Sequence, residues 1–178
     1  MAATSLKPHD VVVVCQLALW SRSSWTYEKL GQKLRLSASE ICNVLKRCKR
    51  AKLVARTDGE IKVDRALLAD FIVHGVPTAF FAHKTEVVKG VVTAMHAPAF
   101  LERFAADRDI PVVWPYTKGK DMGEGLLPLL PAAALVAPQD ETLYTLLSAI
   151  DILRIGRQRE KDAAESTITG IIGENSST

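Results

Sequence analysis

The spacing of apolar and polar residues in the first part of the chain predicts two helices. Residues 7–20 are mostly apolar and begin with Pro8 and Asp10, which suit the first turn of a helix and the positive end of its dipole. This start favours a helix, although the four valines at 11–14 leave a buried strand as the alternative. A second amphipathic helix is predicted over residues 27–34.

A third helix is predicted after a break of two residues. Ser37 opens the stretch "SASE", in which Glu40 stands three residues later, the pattern of a capping box. Arg35 lies in the break, where glycine is common, and it must accept a left-handed or distorted backbone. Beyond Ser37, apolar residues recur at spacings of three and four, so the new helix has one apolar side and one basic side.

A hairpin and a fourth helix follow the basic helix. Residues 53–63 favour strands on both sides of Asp58-Gly59, a dipeptide typical of type I′ hairpin turns. Asp64 is placed to cap the next helix, which is expected to end at Gly75. Helix, short turn, helix and hairpin is the order of a winged helix-turn-helix, in which the second helix of the pair enters the major groove.

The second half of the chain gives weaker signals. Residues 76–137 are expected to form an irregular effector or partner segment, with short strands, an extended arm or a ligand-binding loop as alternatives. Residues 138–165 are expected to form a C-terminal helix whose narrow apolar stripe suits dimerisation or packing. Residues 166–178 are expected to be a flexible tail. With a DNA-binding domain at 1–75, the predicted fold is mainly α with a small β wing, in the α+β class.

Composition narrows the classes of protein to consider. The chain has 178 residues, 48% of them apolar, and its longest apolar run is too short for a membrane span, so we expect a cytoplasmic protein without membrane contact. Three cysteines without a CxxC pair indicate reduced thiols. Four scattered histidines lack metal-site spacing, and no cofactor is predicted.

The positive charge is concentrated around the predicted helix-turn-helix. Residues 27–65 contain eleven Lys or Arg against five acidic residues, whereas the whole chain has a net charge of only +3. A local basic excess on a helix is typical of a nucleic-acid interface, although each single cation could equally be a solvated surface residue.

The stretch "YEKLGQKLRLSASEICNVLKRCKRAKLV" resembles the winged helix-turn-helix regulators of the MarR-like type, over roughly residues 7–73. The resemblance implies binding of double-stranded DNA, with Asn43 reading adenine and Arg47 contacting guanine or phosphate. The residues that it places at the DNA are Arg35, Ala38, Ser39, Cys42, Asn43, Lys46, Arg47, Arg56 and Lys62.

These features predict a sequence-specific transcriptional regulator rather than an enzyme. We expect a homodimeric autorepressor that responds to a small molecule or a partner protein, with an antitoxin-like role against a toxin as one form. One alternative is a winged-helix adapter that binds proteins and not DNA. A weaker alternative is a metal-dependent nucleic-acid-processing enzyme that uses Asp107, Asp109 or Asp121.

Overall fold

The computed structural model of the protein describes residues 5–20, 25–104 and 110–174, so Asp107 and Asp109 lie outside it. The chain is α+β and about 60% helical. The helices are α1 (Pro8–Leu19), α2 (Tyr27–Leu34), α3 (Ala38–Arg50), α4 (Arg65–Asp70), α5 (Val76–Ala79), α6 (Pro98–Phe104), α7 (Ala133–Val136), α8 (Glu141–Ile155) and α9 (Gln158–Glu174). The strands are β1 (Val54–Thr57), β2 (Glu60–Val63), β3 (Lys84–Val92), β4 (Val112–Pro115) and β5 (Asp121–Leu126). Within the described ranges, no helix is long and apolar enough to cross a membrane.

The first element is a helix, as its start signals predict, and it lies at the centre of the molecule. All four valines at 11–14 are fully buried. α1 packs against α3 on one side and against α8 and α9 on others. A helix that is covered all round must be apolar all round, which is why its sequence also fits a buried strand.

The turn between α2 and α3 has the form that the sequence predicts. The Ser37 hydroxyl accepts a hydrogen bond from the Glu40 N–H at 3.1 Å and caps α3. Arg35 ends α2 in the left-handed conformation, with φ 57° and ψ 38°. Gly31 contacts the backbone of the turn so closely that a Cβ would collide with the Leu36 carbonyl oxygen. The tight approach of the two helices therefore requires glycine at position 31.

Replacing Arg35 by glycine is expected to raise the free energy of unfolding by about 0.5–1 kcal/mol, because glycine adopts the left-handed conformation without steric cost. Urea unfolding of the two proteins measures the difference. Arg35→Ala is the matched control, since it removes the same charge but keeps a Cβ, and it should give no gain. An equal gain in both variants would attribute the effect to charge and not to the backbone.

The predicted hairpin is also present, but the fourth helix runs further than predicted. β1 and β2 pair antiparallel through a turn in which Asp58 and Gly59 both have positive φ, as in a type I′ turn. Asp64 caps α4 by accepting from the Leu67 N–H at 2.9 Å. The expected end at Gly75 is wrong, because a π-helical turn at Phe71–Gly75 joins α4 to α5. Gly75 remains helical and instead makes room for the ring of Phe71.

The segment 76–137 is not irregular, and its alternative of short strands is correct. β3 pairs antiparallel with both β4 and β5, and β4 pairs parallel with β5, so each strand bonds to the other two. β4 is buried through Val112, Val113 and Trp114. The sheet is not evident in the sequence because β4 is only four residues long and β3 divides its pairing between two partners.

A buried carboxylate attaches this sheet to α8. Asp151 Oδ2 accepts from the Thr93 hydroxyl at 2.9 Å and from the Trp114 indole N–H at 2.6 Å, and Oδ1 accepts from Arg154 Nη1 at 2.7 Å. Burial raises the pKa of Asp151, while Arg154 and the two hydrogen bonds oppose that shift. This arrangement is called the Asp151 network below.

The C-terminal region contains two helices where the sequence predicts one helix and a tail. The apolar stripe of α8, which we expected to serve dimerisation or packing, is buried within the chain against α1, α5, α9 and the helical turn at Ala94–His96. The flexible tail is wrong for residues 166–174, which belong to α9 and bury Ile168 and Ile172 completely. Residues 175–178 lie outside the described part of the chain.

Candidate nucleic-acid interface

α3 is fixed by its apolar side and exposes most of the predicted reading face. Ile41, Val44 and Cys48 are fully buried towards the core, because they recur at helical spacing. All three cysteines are free, and burial raises the pKa of Cys15 and Cys48 to about 12. On the opposite side, the residues of the predicted face that are exposed are Ala38, Ser39, Asn43 and Lys46, with Cys42 half-buried beside them.

Arg47 is not part of the exposed face, and the prediction that it contacts DNA is wrong. Its side chain is only 6% exposed. Nε and Nη2 donate to the two carboxylate oxygens of Asp10 at 2.7 and 2.8 Å, and Nη2 also donates to Glu40 Oε1 at 2.9 Å. These hydrogen bonds raise the pKa of the guanidinium, Asp10 first and Glu40 second. Arg47 therefore holds α3 against α1.

Glu40 also turns inward instead of completing the predicted capping box. Its carboxylate pairs with Arg47 and with Nε2 of His9, each at 2.9 Å. Hydrogen bonds from Arg47 and then His9 hold its pKa below the ordinary value of 4.5. The N-terminal half of α3 is thereby attached to α1 by a charged cluster of Asp10, Arg47, Glu40 and His9.

The turn between α2 and α3 and the β1–β2 hairpin, called the wing below, contribute unequally to the exposed side of α3. Arg35 is exposed beside the start of α3. Arg56 on β1 is exposed and donates to the Gly59 carbonyl at 3.2 Å. Lys62 pairs with Ala55, so it lies on the other face of the hairpin from Arg56, and its ammonium is 3.7 Å from Asp58. Arg35 and Arg56 join the exposed side of α3, whereas Lys62 does not.

The structure adds Lys49 and Arg50 to the exposed cations of α3. Among the described residues, the ion pairs take up neither Lys46, Lys49 nor Arg50. Lys49 lies three residues after Lys46 and seven after Cys42, and this helical spacing is the signal that would have included it in the face. Basic side chains without nearby acids are suited to phosphate groups.

No protein-family model, curated protein or solved structure matches the chain. The resemblance to winged helix-turn-helix regulators therefore depends on the residues of this chain alone.

A cavity of about 210 Å³ lies between α3 and the wing. Its α3 side is a single stripe of Cys42, Leu45, Lys46 and Lys49, and its wing side includes Arg56. We call it the α3–wing cavity. Tyr27, at the start of α2, also lines it and was not among the predicted site residues.

Proposed function

We propose that this protein is a sequence-specific DNA-binding transcriptional regulator that inserts α3 into the major groove. The observation that carries the proposal is the exposed face of α3, where Asn43 stands among Lys46, Lys49 and Arg50 with none of these cations engaged in the ion pairs of the described residues. An asparagine can bind adenine through two hydrogen bonds, and the lysines supply charge to the phosphates.

Residues at the start of α3 and outside it add to the proposed DNA-binding surface. Ser39 lies in the first turn of α3, where the positive end of the helix dipole favours a phosphate. Arg35 at the turn and Arg56 on the wing extend the positive surface on either side. A homodimeric repressor, the form we favour, would have to pair through a surface other than the stripe of α8, which the chain itself covers.

Substitutions on α3 test this function. Asn43→Ala is expected to weaken binding to the specific site by roughly 1–3 kcal/mol and to relax preference at one base pair. Lys46→Ala is expected to weaken binding to every sequence and to reduce the slope of log affinity against log salt by about one. Fluorescence anisotropy with DNA from upstream of the protein's own gene, at several salt concentrations, measures both.

Lys118→Ala is the matched control, because Lys118 is an exposed lysine in the turn between β4 and β5. Lys118→Ala should leave unchanged both the affinity for DNA and the slope of log affinity against log salt. Equal affinity for specific and unrelated DNA in the wild type would contradict sequence-specific regulation. Absence of any DNA binding at low salt would instead favour the protein-binding adapter.

A further inference from the structure

The α3–wing cavity combines an apolar interior with a positive rim. Leu45 and Val54 are only 5% and 3% exposed and form apolar walls. Lys46, Lys49 and Arg56 stand around it, and none of the described lining residues carries a carboxyl group. A site with this charge selects a ligand that is apolar in one part and anionic in another.

Aromatic rings stand beside this cavity. Tyr27 is 41% exposed, so one part of its ring is available to a ligand. Trp25 meets it edge-on, with ring centroids 5.6 Å apart and planes at 63°. A second cavity of about 340 Å³ shares Tyr27 and Arg56 with the first, and it is also lined by Trp25 and by one carboxylate, that of Glu60. Aromatic rings alternating with cations are the arrangement that proteins use to stack single bases.

The volume of the α3–wing cavity indicates the size of the ligand part that it can enclose. Sites for drug-sized ligands span roughly 300–1,000 Å³, and the α3–wing cavity falls below that range. A single planar ring system is therefore a better match than a larger ligand. A nucleobase is planar, and in a DNA strand its sugar is flanked by a phosphate on either side, which the positive rim would meet.

We propose that the α3–wing cavity binds one unpaired nucleobase of the DNA that α3 contacts, with the base against Tyr27 and its flanking phosphates at Lys46, Lys49 and Arg56. This inference rests on the proposed function and extends it. Cys42 and Lys46 belong both to the face of α3 and to the cavity, so DNA lying along α3 passes the entrance. The preferred substrate is a duplex with an unpaired nucleotide, because no base pair then has to be broken.

The test uses a short duplex with one unpaired 2-aminopurine and the same duplex fully paired. The wild type is expected to bind the unpaired form at least about 5-fold more tightly, the lower limit for stacking one base on an aromatic ring. The fluorescence of the unpaired 2-aminopurine should fall on binding, because stacking quenches it. Free adenosine monophosphate serves as a separate probe for a site that takes nucleotides but not DNA.

Two variants are designed to close or empty the site without affecting the face of α3. Tyr27→Ala removes an exposed ring, and Ile61→Trp fills the cavity from a half-buried strand position that pairs with Arg56 and shares its face. Both should lose the preference for the unpaired duplex and keep their affinity for the paired one. Tyr27→Phe should retain the preference, and Phe81→Ala, which removes an aromatic residue that is 61% exposed elsewhere, should behave as the wild type.

The outcomes separate this inference from the function on which it rests. Equal binding of paired and unpaired duplex, weakened in both by Lys46→Ala, overturns the base-binding cavity and leaves DNA binding intact. Binding of adenosine monophosphate without preference for the unpaired duplex also overturns it. Binding of neither duplex at low salt overturns both proposals. A preference that survives in both Tyr27→Ala and Ile61→Trp shows that the unpaired base binds elsewhere.

Discussion

Replacing Arg47 by methionine is expected to lower the free energy of unfolding by about 3–5 kcal/mol, because it leaves the carboxylate of Asp10 buried without its partner. Asp10 is fully buried, and Arg47 donates to both of its oxygens. Methionine keeps an unbranched apolar stem of similar reach, so the loss reports the charge more than the packing. Urea or guanidinium unfolding followed by tryptophan fluorescence measures the change.

A second substitution distinguishes a buried charge from a DNA contact. Adding Asp10→Asn to Arg47→Met removes the unpaired charge and should recover more than half of the lost stability. The affinity of folded Arg47→Met for DNA should equal that of the wild type, measured at a temperature where both are folded. A protein of unchanged stability that no longer binds DNA would restore Arg47 to the reading face and contradict the structure.

Replacing Asp151 by alanine is expected to be about as destabilising, at roughly 3–5 kcal/mol, because it breaks a buried charge pair and removes an acceptor from three donors. The donors are Thr93, Trp114 and Arg154. Within the described part of the chain, Arg154 alone of the three keeps other acceptors, the backbone carbonyls of Phe80, Phe81 and Leu127. Asp151→Asn keeps a carbonyl oxygen for one of the donors, so it should lower the free energy of unfolding by less than Asp151→Ala does. Denaturant unfolding measures each variant.

Asp70→Ala is the control for this prediction, since Asp70 is a carboxylate whose side chain is 69% exposed. Its effect should stay within about 0.5 kcal/mol, as for most surface substitutions. If Asp151→Ala were no more destabilising than Asp70→Ala, the Asp151 network would contribute nothing to holding the sheet on α8.

The sequence predicts those features that depend on neighbouring residues. Ser37 and Asp64 cap helices because a short polar side chain reaches the N–H three residues ahead, and this requires no distant contact. Asp58-Gly59 forms the hairpin turn for the same kind of local reason. The left-handed conformation at Arg35 also follows from its position between two helix signals. All of these predictions are confirmed.

The predictions that are wrong depend on contacts between residues that are far apart in the chain. Arg47 fits the basic side of α3, but it is held inward by two hydrogen bonds to Asp10, 37 residues earlier. Residues 166–174 contain small and polar residues with two glycines, yet Ile168 and Ile172, one turn apart, bury against helices that the local pattern does not reveal. The pairing of β3 with two strands is long-range in the same sense.

The central position of α1 means that α3 is held in place by helices from both ends of the chain. α3 packs against α1, and α8 and α9 cover other sides of α1, so a fragment ending near residue 75 would expose to water the apolar surface of α1 that those two helices cover. We therefore expect the two halves of the chain to unfold in one cooperative transition. A destabilising substitution in the buried side of α8 or α9 is then expected to lower the amount of folded protein, without a change at any residue of the proposed interface.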